Sequence, residues 1–117
     1  MATVSDIVLG AFRLCGIRDT DDTRTAEGIT ALNDLLRTLE YEGLLDYFTE
    51  YSALTDTINE SVYIEKALKY LLAEAIAPEY NLQLMPSVER QVFFLRSNLE
   101  AAASNVDEAT IDKAIRR

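Results

Sequence analysis

Residues 64–75 read IEKALKYLLAEA. Ile64, Ala67, Leu68, Leu71, Leu72 and Ala75 stand at i, i+3, i+4, i+7, i+8 and i+11, so a 3.6-residue period gathers them on one side of a helix. The other side carries Lys66, Lys69 and Glu74, and Glu65 precedes Lys69 by four residues, the favourable order for an ion pair along a helix. Tyr63 and Tyr70 extend the apolar surface. Asn59 or Ser61 supplies the cap. An amphipathic stripe this regular sets the fold class as helical.

The same period recurs on both sides of it. Thr3 and Asp6 have capping-box spacing, and an acid in the first turn suits the helix dipole. A first helix therefore runs from residue 5 to about 15, with Val4, Ile7, Val8, Ala11, Leu14 and Cys15 on one face. Gly16 stands where a left-handed C-terminal residue is expected. A polar connection, IRDTDDTRT, leads to Asp22 or Thr23 as the next cap. The second helix covers about 24–42, with Ala26, Ile29, Leu32, Leu36 and Leu39 in its stripe, Leu35 widening it and Gly43 ending it. A fourth begins at Pro86 or Ser87, since the first turn tolerates a missing N–H. Its narrow seam is Val88, Val92, Leu95, Leu99 and Ala102, with Phe94 alongside. AAASN ends that helix. A short terminal stripe of Ile111, Ala114 and Ile115, capped by Asp107, either continues from it or is ordered by docking elsewhere.

Both prolines fall in one joint, AIAPEYNLQLMPSVERQ. Pro78 biases Ala77 away from the α region and ends or bends the third helix, while Pro86 starts the fourth. Tyr80, Leu82, Leu84 and Met85 offer the joint a buried face, expected as a turn or two of helix across the bundle end.

Between the second and third helices the period disappears. LLDYFTEYSALTDTINES is rich in aromatic and β-branched residues and is expected as a long loop, with a short β-hairpin over 51–58. Long, partly apolar connections often bind partners. Tyr47, Phe48, Tyr51, Leu54 and Ile58 are accordingly candidate contact residues; the alternative is that the aromatics pack on the bundle.

The 117 residues suit one domain, and the scarcity of Gly (4) and Pro (2) agrees with an all-α, four-helix bundle-like architecture. Residues 1–103 form the helical domain and 104–117 a C-terminal docking segment. No apolar run approaches the ~20 residues of a membrane span. The N-terminus lacks the basic region of a signal peptide, which points to folding in a cytoplasm. A single cysteine excludes an internal disulfide, and the absence of histidine argues against a conventional zinc site or a His general base. Cys15 lies on an apolar face and reads as a core thiol.

Asp19, Asp21 and Asp22 fail the EF-hand template, which would need glycine and glutamate where Arg24 and Thr30 stand. Glu40 and Glu42 diverge by about 160° on a helix, unlike a glycosidase pair. Without a nucleophile elbow, a phosphate loop or a metal cluster, the chain is read as not an enzyme and as needing no cofactor. Net charge is −9, concentrated in residues 1–60, which hold four Lys/Arg against twelve Asp/Glu. That balance lacks the basic stripe that gripping nucleic acid requires.

IVLGAFRLCGI, the aspartate-rich gap, ALNDLLRTLEYEGL, the aromatic stretch and LKYLLAEAIAPEYNLQ, in that order, resemble the head-to-tail adaptor proteins of tailed bacteriophages. The resemblance covers about residues 4–103. It is closest to the tail accessory factors, or packaged-DNA stabilisation proteins, of short-tailed phages. Its marks are the triplet Leu14, Cys15, Gly16 and the run from Ile76 to Tyr80 after the third helix. The resemblance implies an all-α virion protein of the head–tail junction, assembled in the host cytoplasm. Such a protein forms a ring, commonly a dodecamer, beneath the portal protein. It extends the DNA channel, helps retain packaged DNA without reading its sequence, and presents a platform for a tail or nozzle protein.

The resemblance also implies a portal contact near the C-terminus, which singles out Ile111, Lys113, Ile115, Arg116 and Arg117. The long loop would contact neighbouring subunits or the tail. This chain departs from the pattern by lacking the long C-terminal tail of some members. The alternative reading is a small helical regulatory protein that binds a single host protein.

Overall fold

The computed structural model describes residues 2–18, 20–45 and 47–115, excepting the side chains of 104–115. Its helices are α1 (Val4–Leu14), α2 (Asp22–Tyr41), α3 (Val62–Ile76) and α4 (Pro86–Ile115), with a 3₁₀ turn over Ala77–Tyr80. The fold is all-α.

Each start is a capping event that satisfies otherwise orphaned N–H groups. Thr3 forms the expected box with Asp6: the Asp6 N–H donates to Thr3 Oγ1, and the Asp6 carboxylate accepts from the Thr3 N–H. Ser61 caps α3 through the Ile64 N–H. For α2 the cap is Asp21 rather than Asp22 or Thr23; its carboxylate accepts from the Arg24 N–H at 2.8 Å. The helix thus begins one residue earlier than the sequence pattern suggests.

Two ends follow the glycines. Gly16 (φ +87°) and Gly43 (φ +81°) take left-handed conformations, and the next residue reaches back five positions, Ile17 to the Phe12 carbonyl and Leu44 to that of Leu39. This is the Schellman closure, and the positive φ is why glycine stands there.

The proline joint differs from expectation. Ala77 keeps helical angles (φ −51°, ψ −47°) although Pro78 follows it. The chain does not break; it tightens into the 3₁₀ turn. Burial of Ala77, at 3% exposure, holds the residue against the pre-proline preference. The true stop is Asn81, in the left-handed region (φ +54°), with the Leu82 N–H returning to the Ala77 carbonyl at 2.8 Å. Tyr80 anchors the turn with its ring edge on Phe12, 5.8 Å between centroids, and its hydroxyl donating to Glu27. Leu82 and Leu84 are half-buried as expected, but Met85 is exposed.

α3 is the central element, packing on α1, α2 and α4, and α1 also crosses α2. Val4, Val8, Phe12, Leu32, Leu39, Ile58, Leu68, Leu71, Leu72 and Ile76 are the large side chains fully removed from solvent, each worth ~1.5–3 kcal/mol of transfer free energy for the larger aliphatics and Phe. Gly28 lets α1 and α2 approach closely: a Cβ there would lie 2.5 Å from Val8 Cγ1 and 2.9 Å from Phe12 Cε2. The sequence stripe missed Phe12, Ala73 and Ile76, and it assigned to the core three alanines that lie exposed: Ala26, Ala75 and Ala102. α3 is enclosed on several sides, so its buried arc is broader than, and rotated from, a single amphipathic stripe.

α4 packs on α3 through Val88, Val92, Leu95 and Leu99. Arg96 pins it beside both neighbours, 3.4 Å from Glu74 and 3.9 Å from Glu42. The helix does not end at AAASN; it continues to Ile115. Alanines have high helix propensity, and neither Gly nor Pro interrupts this run. Of the C-terminal candidates, Ile111, Lys113 and Ile115 lie on this helix with side chains outside the described residues, and Arg116 and Arg117 lie outside them altogether.

Candidate interaction surfaces

The connection between α2 and α3 contains no strand among the described residues, so the expected 51–58 hairpin is not formed. It is instead stapled to the bundle. The buried Asn33 amide reaches out from α2, donating to the Tyr51 carbonyl at 2.8 Å and accepting from the Tyr51 N–H at 2.9 Å. The Tyr51 hydroxyl in turn accepts from the Asn59 N–H at 3.1 Å. Asp56 closes a tight turn by accepting from the Ser52 and Ala53 N–H groups, and these bonds hold its carboxyl below the ordinary range.

The turn then feeds α1. Its Asp56 and Leu54 carbonyls accept from the Val4 and Ser5 N–H groups, and the Ile58 N–H donates to the Ala2 carbonyl around an isolated bridge between Thr3 and Thr57. The loop backbone therefore supplies acceptors for the orphan donors at the start of α1.

This geometry divides the five loop candidates. Tyr51 (6% exposed) and Ile58 (0%) belong to the core and present nothing to a partner in this conformation. Their alternation reflected packing on the bundle. Phe48 and Leu54 are half-buried, with the Arg37 guanidinium 4.9 Å from the Phe48 ring centre. Tyr47 alone among the five is exposed.

Larger uncovered surfaces lie elsewhere. On α3, Val62 (79% exposed) and Lys66 stand one turn apart, with half-buried Lys69 a further turn along. They line a shallow recess with Ala2, Asp6, Ile7 and Glu65. On α4, Phe93 and Phe94 are 76% and 59% exposed, flanking the side opposite the seam. Between α2, α3 and the 3₁₀ turn runs an open trough of about 590 Å³, extended by a second of about 250 Å³. Ala26, Ala31 and Ala75 lie along it, and Asp22, Glu27, Asp34 and Glu79 stand at its edges.

Chemistry-bearing groups do not converge. Cys15 is buried, its thiol donates to the Ala73 carbonyl at 3.4 Å, and burial pushes its pKa up, away from a reactive thiolate. Tyr80 is pushed up to about 12 by desolvation first, then by its hydrogen bond to Glu27 and that carboxylate's charge. Glu65 is buried and accepts from the Ala2 N–H at 3.3 Å. Among the described residues, no three His, Cys, Asp or Glu gather as a metal site, and no helix is long and apolar enough to cross a membrane.

No protein-family model matches this sequence, and neither the curated proteins nor the solved structures contain a match to it. The surfaces therefore rest on their own geometry. Asn33 was missed because a polar residue inside an apolar stripe carries no local sign of its distant partner. The trough was missed because the period counts alanine as core. The exposed Val62 and Phe93, both off their helices' main stripes, were the available signals.

Proposed function

We propose that the chain is a structural assembly adaptor of the head–tail junction type. In this reading it forms a ring beneath a portal protein, extends the DNA channel, helps retain packaged DNA and offers a platform to a tail protein. The observation that carries the reading is that large apolar side chains are left uncovered on separate elements, Val62 on α3 and Phe93 and Phe94 on α4. A ring subunit needs two different contact surfaces, because its interfaces are heterologous, and further surface for what lies above and below. The ordered resemblance of residues 4–103 to phage adaptors supplies the biological setting. Net charge of −9 suits a channel wall past which DNA slides, since it offers phosphates few cations. The C-terminal residues Ile111, Lys113, Ile115, Arg116 and Arg117 remain the proposed portal contact, and Tyr47 the loop residue best placed for a subunit or tail contact.

Electron microscopy of the protein mixed with a portal ring tests this directly. Added ring density beneath the portal is the expected result. A lone one-to-one complex with a host protein, and no density on any portal, would replace the adaptor reading with that of a helical regulator.

A further inference from the structure

Two of the uncovered surfaces are complementary to each other. The trough has a floor of small residues, Ala26, Ala31 and Ala75, so a neighbouring helix can approach its backbone closely. Its edge carries Asp22, Asp34 and Glu79, none of them in an ion pair among the described residues. It follows α2 from Asp22 to Thr38, ~24 Å at 1.5 Å per residue. The ridge of Val62, Lys66 and Lys69 is cationic, with an apolar foot, and occupies about two turns of α3.

Their placement matters as much as their charge. Ala75 in the trough and Lys66 on the ridge are nine residues apart on α3, two and a half turns, and so lie on opposite sides of that helix. One partner cannot engage both at once. Pairing trough with trough, or ridge with ridge, would set like charges together.

We propose that copies of this chain associate head to tail, the ridge of Val62, Lys66 and Lys69 on one copy seating in the Ala26, Ala31 and Ala75 trough of the next. Lys66 and Lys69 then face Asp34 and Glu79, and Val62 meets the alanine floor. A contact between different faces propagates and closes only as a ring. This deepens the adaptor reading and rests on it, naming which surfaces join subunits and leaving Phe93 and Phe94 to another partner.

Charge reversal tests the pairing. Lys66→Glu and Glu79→Lys are each made in the full chain, at exposed positions, with Lys66→Gln and Glu79→Gln as shape-preserving controls. Association is read by sedimentation velocity at ~0.1 M and ~1 M salt, where the Debye length falls from ~10 Å to ~3 Å, and by ring formation on portal. Each reversal alone is expected to weaken association about tenfold or more, the neutral variants less, and high salt to weaken the wild type. An equimolar mixture of the two reversals is expected to restore assembly, since each regains an opposite partner. A two-fold dimer, or reversals that change nothing, overturns the proposal, as does a mixture that fails to recover. If rings still form on portal in those cases, the adaptor reading stands and only this interface falls. If the wild type neither associates nor adds density to a portal, both fall.

Discussion

Removing the Asn33 amide isolates the bond between loop and bundle. In Asn33→Ala the Tyr51 N–H and carbonyl both lose partners, at 2.9 and 2.8 Å, beside a tyrosine only 6% exposed. An unsatisfied buried group costs ~1–3 kcal/mol. Two such groups, partly relieved as the loop lifts and admits water, give a loss of ~2–4 kcal/mol. At roughly 4 °C per kcal/mol for a chain of this size, the melting temperature falls by ~8–16 °C. Urea unfolding measures the global loss, and amide hydrogen exchange locates it: protection at Tyr51 and Asn59 should fall first, then at Val4 and Ser5, whose N–H groups the same loop receives. Asn33→Asp refines the test. Its carboxylate still accepts from the Tyr51 N–H but confronts the Tyr51 carbonyl, so the folded state favours the protonated acid. With the folded pKa raised, that variant is most stable below the ordinary carboxylate range and loses stability as pH rises through it. A change under ~0.5 kcal/mol in Asn33→Ala, the range of an ordinary surface substitution, with unaltered exchange at Tyr51, would refute the stapling argument.

Other perturbations follow from the same geometry. Gly28→Ala drives a methyl into the fully buried Val8 and Phe12 and should destabilise by ~1–3 kcal/mol in thermal unfolding. Gly10→Ala meets only the flexible Lys69 side chain, so yielding contact and better helix propensity should leave stability within ~1 kcal/mol of wild type, on the stabilised side. Asp56 has a lowered pKa through its backbone bonds, so its contribution is complete above the ordinary range near pH ~4 and is lost as pH falls through the lowered value. Asp56→Asn should flatten that acid limb in urea midpoints compared from pH ~6 downward. Cys15, buried with a raised pKa, should react with a thiol reagent only as the protein unfolds, so fast labelling of the native protein would contradict its placement in the core.

The helices were legible because their signals are local. Thr3 with Asp6, and the glycines at 16 and 43, state starts and stops within a few residues. The joint was less legible because two local rules competed with a distant one. Pro78 argues for a break at Ala77, yet burial of Ala77 and the Tyr80 contacts with Phe12 and Glu27 carry the helical path one turn further. Asn81 then does what Pro78 was expected to do, and asparagine is among the few residues that accept a positive φ at little cost. The loop was illegible for a stronger reason. Its apolar residues could dock on the bundle or on a partner, and the choice turns on Asn33, eighteen residues away.

The alanines carry the same ambiguity to the molecular surface. A helical period reports which residues share a side, not whether that side faces the chain's own core. Ala26 and Ala75 satisfy the period and still line an open trough, because α3 turns its larger side chains, Leu68, Leu72 and Ile76, toward its packed neighbours. In a lone globular protein such leftover apolar surface would be free to become charged, for small exposed residues contribute little to burial. Here it forms one continuous floor with acids at its edge, while the lysines of the same helix stand on the opposite side. A surface built that way makes physical sense where a second helix covers it, and the only cations α3 itself offers, Lys66 and Lys69, cannot reach the trough of their own chain. They can reach that of the next.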